Sequence, residues 1–341
     1  MLGYWLNHCQ LSLRLDQNGP GLIQEGRYGK TDLIKRGLLR NDRPDNFPDT
    51  LFVCEESLNE LESAVVNRHL QRLTPYIPAT TLTGMFRAQA ERAILSMNGG
   101  APALACDPNH HDPGAERCFC STRLQKSGTH AAVLDFYHHS CPVCRMFGNR
   151  LFQGALTMND ARCRTSSKAR QAPPLMRRSG AIDRITGSLG TRSAVTYQVV
   201  EDLRFEAVVE FTNFELWQIG LFLLLLRDVA AGRLAMGARK SLGMGKLLPE
   251  ITAAEITVHG RSRARDAAIG LGDLLPHQRF GFLIQSAKVT DDCLRQVSAK
   301  DLTRCYRITD QQAFEAWMVG EWLHAIAPLT TQRKQELAAR G

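Results

Sequence analysis

The sequence has no hydrophobic run long enough to cross a membrane. Its most apolar stretch covers residues 219–226, with Val229 and Ala230 beyond Arg227 and Asp228, whereas a bilayer span takes about 20 apolar residues. The stretch reads as a buried helix, and no membrane partner is expected. The opening residues Met1-Leu2-Gly3-Tyr4-Trp5 lack a basic region ahead of an apolar core, so a cytoplasmic, reducing setting is expected. Internal repeats and low-complexity tracts are missing. So are GxSxG, a Walker A lysine motif, a GxGxxG between strand and helix, HExxH, and the deaminase pattern HxE…PCxxC. No motif therefore supports a serine hydrolase, a nucleotide-binding enzyme or a catalytic zinc centre.

What is present is ordinary for a folded protein. Hydrophobic residues make up 44% and charged residues 22% of the 341 residues, enough for a core and against disorder. The length fits two domains, or one with large insertions. The net charge is +8, with an isoelectric point near 9.1, which favours an anionic partner. The excess is concentrated. Residues 162–192 contain eight Arg or Lys (Arg162, Arg164, Lys168, Arg170, Arg177, Arg178, Arg184, Arg192) and one acid, Asp183. A loop with that balance suits a phosphate backbone.

Five of the ten cysteines, Cys106, Cys118, Cys120, Cys141 and Cys144, fall within 39 residues. In a reducing compartment such a cluster points to a metal rather than disulfides. Cys141-Pro142-Val143-Cys144 has the CxxC spacing that sets two thiolates on one tetrahedral ion. The expected cofactor is a structural zinc held by Cys106, one or both of Cys118 and Cys120, Cys141 and Cys144. His110, His111, His130, His138 and His139 are the reserves.

Along the chain, Cys9, Leu11, Leu13 and Leu15 alternate with polar residues and predict a strand. Residues 25–60 read as a loop insertion with an apolar island, Leu51-Phe52-Val53. Leu82, Phe86, Ala90, Ala93, Ile94 and Met97 keep helical spacing after an N-cap at Thr80 or Thr81. Residues 155–158 and 203–211 predict two more strands. Asn213 is the expected cap of a second long helix. A glycine-rich turn, Met236-Gly237-Ala238-Arg239-Lys240-Ser241-Leu242-Gly243-Met244-Gly245-Lys246, opens the last strand of this set. Strand–helix–strand twice over is the split βαβ arrangement of a ferredoxin-like α+β domain. The turn combines glycine, which lets backbone approach a ligand, with cationic side chains. Its amides suit an anion. From about residue 270 onward the pattern reads as helical.

Several segments together resemble the RAMP superfamily, CRISPR-associated proteins whose backbone subunits coat guide RNA. Tyr76-Ile77-Pro78-Ala79-Thr80-Thr81-Leu82-Thr83-Gly84-Met85-Phe86-Arg87, continued by Ala90-Glu91-Arg92, resembles the family's YIPGSSLKGxxR segment. Ala79 and Thr80 stand where the family has Gly-Ser, and Thr83 where it has a basic residue. Ser140-Cys141-Pro142-Val143-Cys144-Arg145-Met146-Phe147-Gly148 resembles CPxCRLFG. Ala181-Ile182-Asp183-Arg184-Ile185-Thr186-Gly187 resembles IDRxTG, and residues 237–245 resemble the family's glycine-rich loop.

The resemblance implies a modified ferredoxin-like (RRM-like) core over 1–255. It would carry the 25–60 loop, a Cys-rich zinc-binding insertion at 101–150 and a basic thumb hairpin at 162–200, with a mostly helical region at 256–341. It implies a non-catalytic subunit that oligomerises along CRISPR RNA with other effector subunits. Such a complex recognises complementary DNA or RNA in antiviral defence, with guide pairing reading the sequence. Expected RNA contacts are Arg87, Arg92, Arg184, Gly237, Arg239, Lys240, Gly243, Gly245 and Lys246. Type III relatives cut target RNA with a loop aspartate before the YIPG segment, yet residues 63–72 contain no acid. Asp45 and Asp49 are the remaining candidates for the alternative, a metal-dependent endoribonuclease. The chain is therefore most similar to the type IV backbone subunit.

Overall fold

The computed structural model describes residues 6–23, 34–35, 52–54, 74–97, 104–112, 119–126, 136–137, 139–164, 175–182, 184–188, 195–259, 293–300 and 303–338. In chain order its strands and helices are β1 (Asn7–Gln17), β2 (Tyr76–Ile77), α1 (Ala79–Met97), α2 (Cys120–Lys126), α3 (Pro142–Phe147), β3 (Leu156–Met158), β4 (Ala161–Cys163), β5 (Leu175–Ser179), β6 (Val195–Val199), β7 (Arg204–Thr212), α4 (Leu216–Ala230), β8 (Leu247–His259), β9 (Leu294–Lys300), β10 (Thr303–Ile308) and α5 (Gln311–Ala338). The protein is α+β, with helices and an antiparallel sheet.

Alternation in β1 sets the core. Cys9, Leu11, Leu13 and Leu15 are buried, and the residues between them lie on the more open face, as a period of two requires. The main sheet has the order β2-β4-β7-β1-β8-β10-β9, with β3 also on β7. β1 lies between β7 and β8 and is antiparallel to both. Counting β3 and β4 together as the second strand, the four strands around α1 and α4 run in the order 2-3-1-4. That is the order a split βαβ pair produces.

The apolar run in α4 follows from its position between two layers. On the sheet side Phe222 meets Phe211, ring centroids 5.7 Å apart, and Phe86 of α1 at 5.0 Å. On the far side Trp217 meets Trp322 of α5 at 5.8 Å. A helix covered on both sides has no need of a polar face. Among the described residues no helix is long and apolar enough to cross a membrane.

Three local expectations differ from the structure. The cap of α4 is Glu215, which forms a capping box with Gln218. Asn213 is left-handed (φ 50°) and accepts from the Leu6 amide at 2.8 Å, so it ties the start of β1 instead. At α1 the helix begins one residue before Thr80, and the Ala79 amide is held at 2.7 Å by Asp160, from the β3–β4 turn. Beyond residue 270, β9 and β10 precede the helix. Their ladder shifts register between Cys305 and Tyr306, and such an irregularity breaks the period-of-two signal. Much of the 25–60 loop lies outside the described residues. Its island does anchor: Phe52 and Val53 are buried, and their amides donate to Gln198 Oε1 at 2.9 Å and to the Ile23 carbonyl at 3.0 Å.

Candidate metal centre and nucleic-acid surface

Four cysteines from three separate segments converge. Cys106, Cys120 at the start of α2, and Cys141 and Cys144 around α3 are all buried, and their sulfurs lie within 4.8 Å of one another. Cys106 Sγ is 3.4 Å from Cys144 Sγ and 3.7 Å from Cys141 Sγ. A tetrahedron with metal–sulfur bonds near 2.3 Å has edges of about 3.8 Å, so the four sulfurs already have the size of one mononuclear site. The Cys141 amide points at Cys120 Sγ, 3.4 Å away.

Hydrogen bonds from Cys106 hold Cys120 and Cys141 below the ordinary thiol range, while Cys106 and Cys144 are pushed well above it by their thiol neighbours. Four buried thiols share protons in this way because four bare negative charges in one pocket are prohibitive. A divalent cation removes that conflict. These residues therefore fit a metal ion. Cys118 lies outside the described residues, as do His130 and His138.

Two arginines flank the sulfurs. Arg87 of α1 donates to Cys144 Sγ at 3.5 Å and to the Gly148 carbonyl at 2.9 Å, pairs with Glu91 at 3.1 Å, and stands over the Phe119 ring at 5.8 Å. Burial works against its charge, but Cys144 and Glu91 outweigh that and hold its pKa above the usual arginine value. Arg123 lies one helical turn after Cys120 on α2. It donates to the His139 carbonyl at 3.0 Å and approaches Cys120 Sγ at 3.9 Å. Arg123 thus stands beside a sulfur held towards its thiolate, and Arg87, expected at RNA, is engaged at the cysteines through Cys144. Arg123 was not among the expected site residues; its signal was the i, i+3 spacing from a cysteine on a helix.

The cysteine region is joined to the core by a buried polar cluster. Tyr137 Oη donates to Glu215 Oε1 at 2.6 Å, and Trp217 Nε1 donates to Glu215 Oε2 at 2.8 Å. Tyr137 is fully buried. Burial first, then Glu215, raises its pKa well above the ordinary phenol value. The Arg145 guanidinium lies 5.0 Å from the Tyr137 ring.

The second site forms where the glycine-rich turn, residues 20–23 and the β5–β6 hairpin meet. Residues 20–23 act as a common seam. The Pro20 carbonyl accepts from Gly245 at 2.9 Å and the Leu22 carbonyl from Ala238 at 2.8 Å, while Gly21 exchanges two bonds with Val200 at 2.9 and 3.1 Å. A Cβ on Gly237 would strike the Leu22 carbonyl, and one on Gly245 the Met236 carbonyl; both have positive φ. These two glycines permit close approach of protein backbone, whereas Gly243 faces open space. Lys240 and Lys246 are exposed.

Arg177 and Arg178 of β5 and Arg184 beyond it are exposed, as are Ile182 at 68% and Ile185 at 95%. Arg177 pairs with Glu201 at 2.5 Å. The outer face of the main sheet contrasts with this basic hairpin. There Arg14 pairs with Asp16 and Glu250, Arg204 with Asp16 at 2.7 Å, Arg164 with Glu206 at 3.2 Å, and Arg307 with Glu255 at 2.9 Å. The outward positions of β1 and β7 hold no Phe, Tyr or Trp. The two central strands β1 and β7 thus lack, on this face, the rings that stack bases on RRM sheets. Arg92 is exposed on α1. Asp45 and Asp49 lie outside the described residues.

The family model of the RAMP superfamily matches residues 59–247, more than half of the chain, and the protein belongs to that superfamily. Membership makes it a CRISPR-associated protein of an RNA-binding family. A search of curated proteins finds no match.

Proposed function

We propose that the chain is a non-catalytic guide-RNA-binding backbone subunit, most similar to that of type IV systems. Copies of it would line up along CRISPR RNA, with other effector subunits, in a complex that recognises complementary DNA or RNA. One observation carries this reading: among the described residues, the β5–β6 hairpin and the turn bonded to it hold a cluster of exposed cations. Arg178, Arg184, Lys240 and Lys246 are all exposed, while Arg204, Arg164 and Arg307 on the sheet face pair with its own acids. In this reading the hairpin is the thumb, and exposed Ile182 and Ile185 give it an apolar end suited to lie against bases. Arg92 contributes a further phosphate contact from α1.

The same reading assigns a structural zinc to Cys106, Cys120, Cys141 and Cys144. Four buried sulfurs leave no open position for substrate, which is the mark of a closed structural site.

The test uses the purified full chain. Bound RNA is extracted, and affinity for single-stranded RNA is followed against salt. Each phosphate contact removed, by Arg184→Gln, Lys240→Gln or Lys246→Gln, lowers the log–log slope by about 0.7. Protein that carries no RNA and binds it indifferently to salt overturns the reading. Assembled with guide and given matched target RNA and Mg²⁺, the complex leaves the target intact. Cuts at regular spacing, abolished by Asp45→Ala or Asp49→Ala, would replace the non-catalytic reading with the endoribonuclease.

A further inference from the structure

Arg239 is where the glycine-rich turn grips the hairpin. Its backbone is left-handed, with φ 59° and ψ 32°, a conformation disfavoured for any residue with a Cβ and rarely held by a long side chain. Glycine occupies the other left-handed positions of this turn at 237, 243 and 245. An arginine here is retained at a conformational cost that glycine would avoid, so its side chain has work to do.

That side chain is engaged with the hairpin. Its guanidinium carbon stands 4.8 Å from the Tyr197 ring centroid, and Nη1 donates to Ser179 Oγ at 3.0 Å. Tyr197 lies on β6 and Ser179 on β5. In the hairpin register Tyr197 faces Arg177 and Ser179 faces Val195, so Tyr197 and Ser179 are diagonal neighbours on one face. One guanidinium therefore spans both strands. Tyr197 is buried, which strengthens the cation–ring contact by excluding water.

We infer that Arg239 is a positioning residue: it fixes the angle of the β5–β6 hairpin on the core through Tyr197 and Ser179, and it is not a phosphate ligand. The seam at residues 20–23 anchors the base of the hairpin through Gly21 and Val200. Arg239 anchors the stem further out, as Ser179 ends β5. The phosphate-facing charge of the turn then falls to Lys240 and Lys246. Only this last clause rests on the RNA-binding reading; the strut itself exists without RNA.

Hydrogen exchange of the RNA-free full chain tests it. In Arg239→Gln and in Tyr197→Leu the amides of 175–179 and 195–199 are expected to exchange about tenfold faster, as local opening becomes easier. Tyr197→Phe keeps the ring and the wild-type rate. The double variant Arg239→Gln/Tyr197→Leu opens no further than either single variant, because both remove one contact. Unchanged hairpin exchange in Arg239→Gln overturns the inference. A second measurement is independent of the first: the salt slope of RNA binding. Arg239→Gln keeps the wild-type slope, whereas Lys240→Gln lowers it by about 0.7. A drop of that size for Arg239→Gln also overturns the inference. Failure of RNA binding altogether would remove the wider functional reading and leave the exchange result standing.

Discussion

Nη2 of Arg87, on the first long helix, donates to Sγ of Cys144 at 3.5 Å, while Nη1 of the same guanidinium holds the carbonyl of Gly148 at 2.9 Å. The contact binds α1 of the split βαβ core to the segment that carries the CxxC pair. The four cysteines pack with that core: Cys106, Cys120, Cys141 and Cys144 belong to the same hydrophobic cluster as Leu11 and Phe222.

Replacing Arg87 by Gln removes a charged donor from buried sulfur and carbonyl. Stability is expected to fall by about 2 kcal/mol, the scale of a hydrogen bond to a charged group. Under the zinc assignment proposed above, the variant is expected to lose its metal faster to a competing chelator. Thermal melts and chelator kinetics read the two effects. Arg87→Lys, a compact charge without the fork, restores retention in part.

Cys106, Cys120, Cys141 and Cys144 supply four sulfurs, the number a closed structural zinc site takes. Metal analysis of freshly purified protein is expected to give one zinc per chain in the wild type and in Cys118→Ser. Cys120→Ser loses the metal. Because the cysteines lie inside the core cluster, that loss lowers the melting temperature of the whole domain rather than freeing one loop.

Tyr137→Phe separates the polar cluster from its packing. At neutral pH the missing donor to Glu215 costs about 1–2 kcal/mol. The pKa of Tyr137 in the fold is raised above its unfolded value of about 10, so the neutral phenol is the stabilised form. Its contribution is complete below about pH 10 and is lost as pH rises from there towards the folded pKa. Chemical denaturation across that range should show the gap between wild type and Tyr137→Phe closing on the alkaline side. A gap that widens contradicts the assignment.

Two helical glycines on facing helices should respond oppositely to one methyl group. A Cβ on Gly220 of α4 would collide with the Met318 carbonyl of α5, while Gly320 of α5 has open space. Gly220→Ala is expected to destabilise by about 1–3 kcal/mol through overpacking. Gly320→Ala is expected to stabilise by up to about 1 kcal/mol through helix propensity. Denaturant melts of the two variants measure both.

The sequence by itself determined the elements of the core and their order. β1 and β7 each bury every second residue, and a period of two is visible in any strand with one buried face. The spacing of Leu82, Phe86, Ala90 and Ile94 marked α1 for the same kind of reason. The concentration of charge in 162–192 and the CxxC pair were also legible, since composition and short spacing need no tertiary information.

Which side chains meet was decided only by the tertiary structure. Arg87 and Arg239 are arginines beside family-like motifs, and from sequence both read as phosphate contacts. Folding turns one onto Cys144, 57 residues away, and the other onto Ser179, 60 residues away. The two glycines of the turn were legible as points of close approach. That the approaching partner is the chain's own carbonyl at Leu22 or Met236 was not. A motif records local geometry and charge. The partner that a charge finds depends on segments far off in sequence, brought beside it by burial of the whole sheet, and that pairing has no period along the chain.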